Sequence, residues 1–280
     1  MRRFKEYLKL LLVIFWPGMI KKRSYKLLEN ISWSNPPEEE AEILLMPFFL
    51  NQNSTFFDVG ANKGLYTRAA EKLINPSNIY SFEPIPELCF SLRRMFRKSN
   101  IHRIALSDEE GTVRFKIPYI GDIQYKSRGK LNTGFMEEGE TRARIIQVNV
   151  STLDRFAALN NISAINLIKI DVEGHELRVI RGAIATLKKM QPVLQIEIEQ
   201  RHHSSPIEDI IEEIEKIGYT CHYLDPEKKA LRQLKEGAEN LQSKDYFKTR
   251  KYIHNFIFIP SDPDWHGKIT AINQKLADQL

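Results

Sequence analysis

The chain has 280 residues, 42% hydrophobic and 28% charged, with a net charge of +5 and a pI near 9.0. That length allows one sizeable core, the composition is that of a globular protein, and no internal repeat or low-complexity tract appears. Cys89 and Cys221 stand alone in spacing, which excludes a disulfide framework and a cysteine metal site and fits reduced thiols in a cytoplasmic protein.

The charge is uneven. Residues 1–26 carry Arg2, Arg3, Lys5, Lys9, Lys21, Lys22, Arg23 and Lys26 against Glu6 alone, so the rest of the chain is slightly acidic. An acidic body disfavours a nucleic-acid groove and suits a small-molecule or a glycan- or lipid-linked partner. Arg93, Arg94, Arg97, Lys98 and Arg103 read as the solvated face of a helix and its exit. The apolar run 10–20 is shorter than the roughly 20 residues a spanning helix needs, and Pro17 and Gly18 interrupt it. Lys21, Lys22 and Arg23 follow where a signal peptide would carry a cleavage site. Two readings of the segment remain: a helix packed on the body, or an interfacial helix holding the protein to the inner face of a membrane through anionic lipid. The organisation expected is a basic and apolar helical extension over 1–50 and a catalytic domain over 51–280.

From residue 55 onward, short apolar runs alternate with segments of helical period, the pattern of βαβ units and a mostly parallel sheet. Strands are expected at 55–60, 78–84, 101–107, 165–172, 193–199, 219–225 and 255–260, and helices at 65–73, 86–98, 176–189 and 206–217. Residues 111–150 break the rhythm. Strand-like runs at 112–118 and 143–150 flank a polar, glycine-containing stretch that is either a lid over substrate or a hairpin tip, with Asn132 and Thr133 as candidate substrate contacts.

Four motifs carry chemistry. Phe56-Phe57-Asp58-Val59-Gly60-Ala61-Asn62-Lys63-Gly64 runs a strand into a glycine turn, so Gly60 and Gly64 admit a ligand close to the backbone. It lacks the spacing of a dinucleotide or P-loop site. An acid at the strand end, Asp58, opposes a pyrophosphate and suits the ammonium group of an amino-acid-bearing cofactor. Ile79-Tyr80-Ser81-Phe82-Glu83-Pro84 ends in a carboxylate about 20 residues on, where Glu83 can accept from both hydroxyls of a ribose. Leu167-Ile168-Lys169-Ile170-Asp171-Val172-Glu173-Gly174-His175-Glu176 delivers acids and a histidine to the same sheet edge. Helix-dipole complementarity accounts for Glu173 and Glu176 but leaves Asp171 without a reason. Asp171, Glu173 and His175 include metal-ligand types, yet no spaced second His or Cys supports them, and no metal is expected. In Val193-Leu194-Gln195-Ile196-Glu197-Ile198-Glu199, alternation puts Gln195, Glu197 and Glu199 on one face, and Glu197 is assigned to substrate at the mouth of the crevice.

The order and spacing of FFDVGANKGLYT, IYSFEPIPE, IALSDEEG, STLDRF, LIKIDVEGHELRVIRGA and NFIFIP resemble the FkbM family of S-adenosylmethionine-dependent methyltransferases from about residue 55 to 260. The resemblance implies a Rossmann-like class I α/β fold, a seven-stranded, mostly parallel sheet with its last strand antiparallel and helices on both faces. It also implies methyl transfer to a hydroxyl of a sugar, glycolipid or polyketide-like substrate. Carried over by residue, it puts Asp58, Gly60, Ala61 and Asn62 around the methionine part, Glu83 at the ribose, Ala105, Leu106 and Ser107 at the adenine, and Asp171 next to the methionine amine and the acceptor; Gly64 is counted with the cofactor-binding residues.

Transfer to oxygen also needs a proton acceptor. His175, with an ordinary pKa near 6.5, comes first, then Asp171, then Glu173. Two rivals stand beside this reading: an RNA methyltransferase, and a non-catalytic cofactor-binding protein at a membrane surface. Against the first, Asn35-Pro36-Pro37 is followed by Glu38 where amino-group methylation motifs carry an aromatic residue, and no strand precedes it.

The front end yields a test. An interfacial helix should co-sediment with anionic vesicles and not neutral ones, at about 1 kcal/mol per basic side chain, with partial release by salt. A helix packed on the body should show no vesicle binding, and deleting residues 1–26 should lower the melting temperature.

Overall fold

The computed structural model describes residues 31–279 apart from 33, 35, 122, 125–128, 132–138, 236, 247–248 and 250. The basic segment 1–26, Asn35, Asn132 and Thr133 therefore lie outside the described residues. No helix among the described residues is long and apolar enough to cross a membrane.

Among the described residues, eight strands form the main sheet: β1 (Phe56–Val59), β2 (Ile79–Phe82), β3 (Asn100–His102), β9 (Leu167–Ile170), β10 (Val193–Glu197), β11 (Tyr219–Asp225), β12 (Ala230–Gln233) and β13 (Asn255–Pro260). Their order across the sheet is β12-β11-β13-β10-β9-β1-β2-β3. β13 runs antiparallel to both β10 and β11, β12 is antiparallel to β11, and the pairs from β10 through β3 are parallel. The chain thus builds outward from β1 in one direction, then returns beside it at β9 and builds outward in the other. Such a reversal leaves a crevice beyond the carboxyl ends of the two central strands.

Strand alternation divides the core into two layers. Phe57, Val59, Ile168, Ile170, Leu194, Ile196, Phe256 and Phe258 face one way, onto α4 (Leu153–Leu159), α5 (Glu176–Arg181), α6 (Ile184–Met190) and α7 (Ile207–Glu215). Phe56, Leu167, Val193, Ile257 and Ile259 face the other way, onto α2 (Leu65–Ala70) and α9 (Asp264–Gln279). Residues before 51 share this second layer: the helical segment Glu38–Leu45 and α1 (Met46–Phe49) contribute Ile43, Leu45 and Met46, each at most 1% exposed. The remaining helices are α3 (Pro86–Met95), packed through Cys89 and Leu92 on Ala61 and Ile101, and the short α8 (Ala238–Leu241).

The elements depart from the sequence expectation in three places. The main sheet has eight strands where seven were expected, because Ala230–Gln233 returns from β11 as a hairpin. Its half-exposed, polar sequence gives no apolar run to detect. The run 101–107 is two strands: β3 stays in the main sheet, while β4 (Ala105–Leu106) leaves it to pair with β8 (Glu140–Ser151). β8, β5 (Gly111–Ile120) and the short β6 (Ile123–Gln124) and β7 (Lys130–Leu131) complete a second sheet, in which the two long arms pair from Gly111 with Val150 to Ile120 with Glu140; most of the polar stretch between them lies outside the described residues.

Third, the helix expected over 176–189 breaks into α5 and α6 around Gly182. A Cβ at Gly182 would overlap the carbonyl oxygen of Ser107, just beyond β4, so the break lets the two backbones meet. Gly182→Ala should therefore cost about 1–3 kcal/mol of unfolding free energy, the range for overfilling a packed contact. Denaturant unfolding checks it, and an unchanged midpoint would show that the Ser107 segment is free to move.

Candidate active site

The site begins where β1 ends. Gly60 takes φ +85°, and a Cβ there would overlap the carbonyl oxygen of Asp171 at the end of β9. Only glycine satisfies both conditions. The Gly60 and Ala61 amides both donate to the Phe82 carbonyl at 3.0 Å, while the Asp171 amide donates to Val59 at 2.9 Å, so the ends of β2, β1 and β9 are tied together.

Glu83, following β2, is 4% exposed and held at both oxygens: Oε2 accepts from the Asn62 amide at 2.9 Å and Oε1 from the Ile85 amide at 2.8 Å. Burial pushes its carboxyl up to about 8, although the two amides pull the other way. Each oxygen keeps a lone pair for a further donor.

These residues frame an open cleft with about 570 Å³ of empty space, part of it open to solvent. Its two sides differ. Toward β1 and β9 the lining is polar, with Gly60, Asn62, Asp171 and Glu173; toward β3 and β4 it is apolar, with Ile85, Ile104, Leu106 and Phe115. Glu83 stands between them, because β2 lies between β1 and β3 in the sheet.

Of the residues singled out from sequence, Gly60, Asn62, Glu83, Ala105, Leu106, Asp171, Glu173 and His175 line the cleft. Asp58 does not. Its side chain points to the α2 face, where Oδ2 accepts from the Thr67 amide at 3.0 Å and hydroxyl at 2.6 Å, fastening α2 to β1; burial raises it to about 6. Ala61 packs against α3 in the core, and Gly64, at φ +83°, lies under Phe96 and Leu92. Ser107 is buried one residue beyond the lining, with its hydroxyl 3.0 Å from His175 Nε2.

Glu197 also falls outside the lining and pairs at 3.7 Å with Lys169, a fully buried cation whose Nζ donates to Asn255 Oδ1 at 2.8 Å and lies over the Tyr66 ring. Tyr66 in turn donates to Glu40 at 2.7 Å and accepts from Gln195. This network explains why Gln195 and Glu197 share one face of β10.

At the loop after β9, Glu173 adopts φ +54° with a carboxylate oxygen 2.9 Å from His202 Nε2. Burial and the carboxylate of Glu197 hold Asp171 well above the ordinary carboxylate range, and its side chain makes no hydrogen bond among the described residues. Burial, with the nearby Arg178 guanidinium, holds His175 below its ordinary value, so its ring is neutral at pH 7. Among the described residues no group of His, Cys, Asp and Glu is arranged to hold a metal ion. The apolar lining from Ile104 and Phe115 escaped the sequence analysis, since a strand some thirty residues from Glu83 gives no local sign that it closes over the same cleft.

A sheet of this order, with its cleft at the β1/β9 reversal and a buried acid closing β2, is a Rossmann-like α/β fold. Residues 58–221, well over half of the chain, match the Methyltransferase FkbM domain, and the chain belongs to that family. It is 27% identical over 145 residues to a protein called Methyltransferase 1 from Beauveria bassiana (strain ARSEF 2860), a match that covers 46% of this chain and 58% of the relative. Among solved structures it is similar to a methyltransferase FkbM from Methylobacillus flagellatus KT, at 13% identity and a TM-score of 0.43 over 85% of this chain and 58% of that one. It is also similar to the precorrin 8W decarboxylase of Methanobacterium thermoautotrophicum, at 11% identity and 0.36 over 80% and 90%.

The buried acids make stability depend on pH. Asp58, Glu42, Glu83 and Glu197, raised to about 6, 7, 8 and 8, each bind a proton more tightly folded than unfolded. Their stabilising contribution is complete below about 3.8 and is lost as pH rises through about 6 to 8. Calorimetric scans of the ligand-free protein should show a lower melting temperature at pH 9 than at pH 6, and a rise over that interval would contradict these burials.

Proposed function

We propose that the protein transfers a methyl group from S-adenosylmethionine to a hydroxyl of a sugar, glycolipid or polyketide-like acceptor. The observation that carries the reading is the buried Glu83 carboxyl, fixed by two amides between a polar and an apolar half of one cleft. That division suits a cofactor with a charged amino-acid end, a central sugar diol and a flat apolar base. Asn62 Oδ1, buried in the lining without a partner, supplies an acceptor for the ammonium group. Glu83 would accept from the sugar hydroxyls, and Ile85, Ile104, Leu106 and Phe115 would cover the base.

When bound, this cofactor would supply a methyl group on a sulfonium sulfur, its carbon open to in-line displacement with the thioether leaving, so the protein's tasks are alignment and removal of the acceptor proton. Asp171 is the proton acceptor we assign. It lies in the polar half beside Gly60, its carboxyl is free of hydrogen bonds among the described residues, and burial raises its basicity above that of an ordinary carboxylate. His175 is engaged on the apolar side, and Glu173 already contacts His202. The slight net acidity of the chain beyond residue 26 speaks against RNA as the acceptor.

Calorimetry should show binding of S-adenosylhomocysteine and poor binding of NAD, with Glu83→Ala weakening the former by about 1–3 kcal/mol. A tight NAD isotherm with no response to S-adenosylhomocysteine would remove the cofactor assignment. With methyl-labelled donor, label should enter glycan or lipid extracts and not RNA. Asp171→Asn should lower that transfer at least roughly 100-fold while still binding S-adenosylhomocysteine.

A further inference from the structure

The ring of His175 sits in a directional chain of hydrogen bonds. Arg178 Nε donates to Asp108 Oδ1 at 2.7 Å, and the Ser107 hydroxyl donates to the same oxygen at 3.0 Å. Against partial burial, the Ser107 hydrogen bond first and then the Arg178 pair keep Asp108 below the usual carboxylate range, so it is ionised and only accepts. Ser107 has one hydroxyl proton, and Asp108 takes it. The 3.0 Å contact between Ser107 Oγ and His175 Nε2 then has one consistent direction, with Nε2–H donating. A neutral imidazole protonated at Nε2 carries its lone pair on Nδ1.

His175 Nδ1 has no partner among the described residues and is not sealed from solvent, and the residue lines the cleft. Its position follows from Ser107, which comes directly after Leu106 on the apolar side. The Ser107 segment is itself fixed by its close approach to Gly182.

We propose that His175 reads the base of the cofactor, its Nδ1 accepting from the exocyclic amino group of adenine, and that Asp108, through Ser107, is the positioning residue that selects this tautomer. The inference rests on the cleft holding S-adenosylmethionine as described above. A 6-oxo base would bring a carbonyl oxygen against the Nδ1 lone pair, so the device discriminates adenine from hypoxanthine.

The full-length protein, titrated calorimetrically with S-adenosylhomocysteine and S-inosylhomocysteine, tests this. The wild type should prefer the adenine form by at least about tenfold, the scale of one hydrogen bond gained or opposed. In Asp108→Ala the Ser107 hydroxyl is free to donate to Nε2, which moves the ring proton to Nδ1. The preference should shrink there through tighter binding of the inosyl compound, an effect that a merely loosened site would not produce. His175→Ala should erase the preference; should that variant fail to fold, Asp108→Ala, whose side chain is partly exposed, still decides. Equal affinities for the two compounds in the wild type, or the same preference in wild type and Asp108→Ala, would overturn the proposal while leaving the cofactor assignment intact. No response to S-adenosylhomocysteine at all would instead overturn that assignment, and this inference with it.

Discussion

The site depends on one close approach, that of Gly60 to the carbonyl oxygen of Asp171. The ends of β1 and β9 lie side by side because the chain reverses direction between them, and the space separating their loops is smaller than a methyl group. From this contact follow the positive φ of Gly60 and the direction taken by Asn62. The Asn62 amide then meets Glu83, so the carboxyl that divides the cleft is oriented by a constraint two residues earlier. A side chain at position 60 would separate the strand ends and lose the amide that fixes Glu83.

The second constraint is electrostatic. Several carboxyl groups gather at the edge of the sheet with Lys169 as the cation buried among them, and most have pKa values raised by burial. Desolvation favours their neutral forms, and a cationic ligand favours their ionised ones. A cleft whose acids are held near neutrality without ligand is suited to a cofactor that brings a positive charge with it.

Much of this was legible in the sequence because the informative residues are local to strand ends. The glycine turn after β1, the acid after β2 and the acidic cluster after β9 are each announced by an apolar run that stops at a polar residue, and all three reach the same edge. What stayed hidden has long-range causes. Asp58 was assigned to the ligand from its place in a motif, whereas strand alternation turns it to the α2 face, where Thr67 occupies it. The break at Gly182 comes from a contact with Ser107 some seventy-five residues earlier, and helical periodicity runs through it unmarked. Phe115 reaches the cleft only because β4 leaves the main sheet to pair with β8, a choice between two partners that the sequence of a two-residue strand does not record. The assignment of His175 as first-choice base rested on its ordinary pKa, and its contact with Ser107 on the apolar side became visible only in three dimensions.

The central claim is that Glu83 marks the middle of a cofactor lying across the β1/β9 reversal. A crystal structure of the protein with S-adenosylhomocysteine tests it most directly. The account predicts the ribose hydroxyls within hydrogen-bond distance of both Glu83 oxygens, the amino-acid end beside Gly60 and Asp171, and the base between Leu106 and Phe115. Density for the ligand elsewhere, or a ribose with no contact to Glu83, would contradict it.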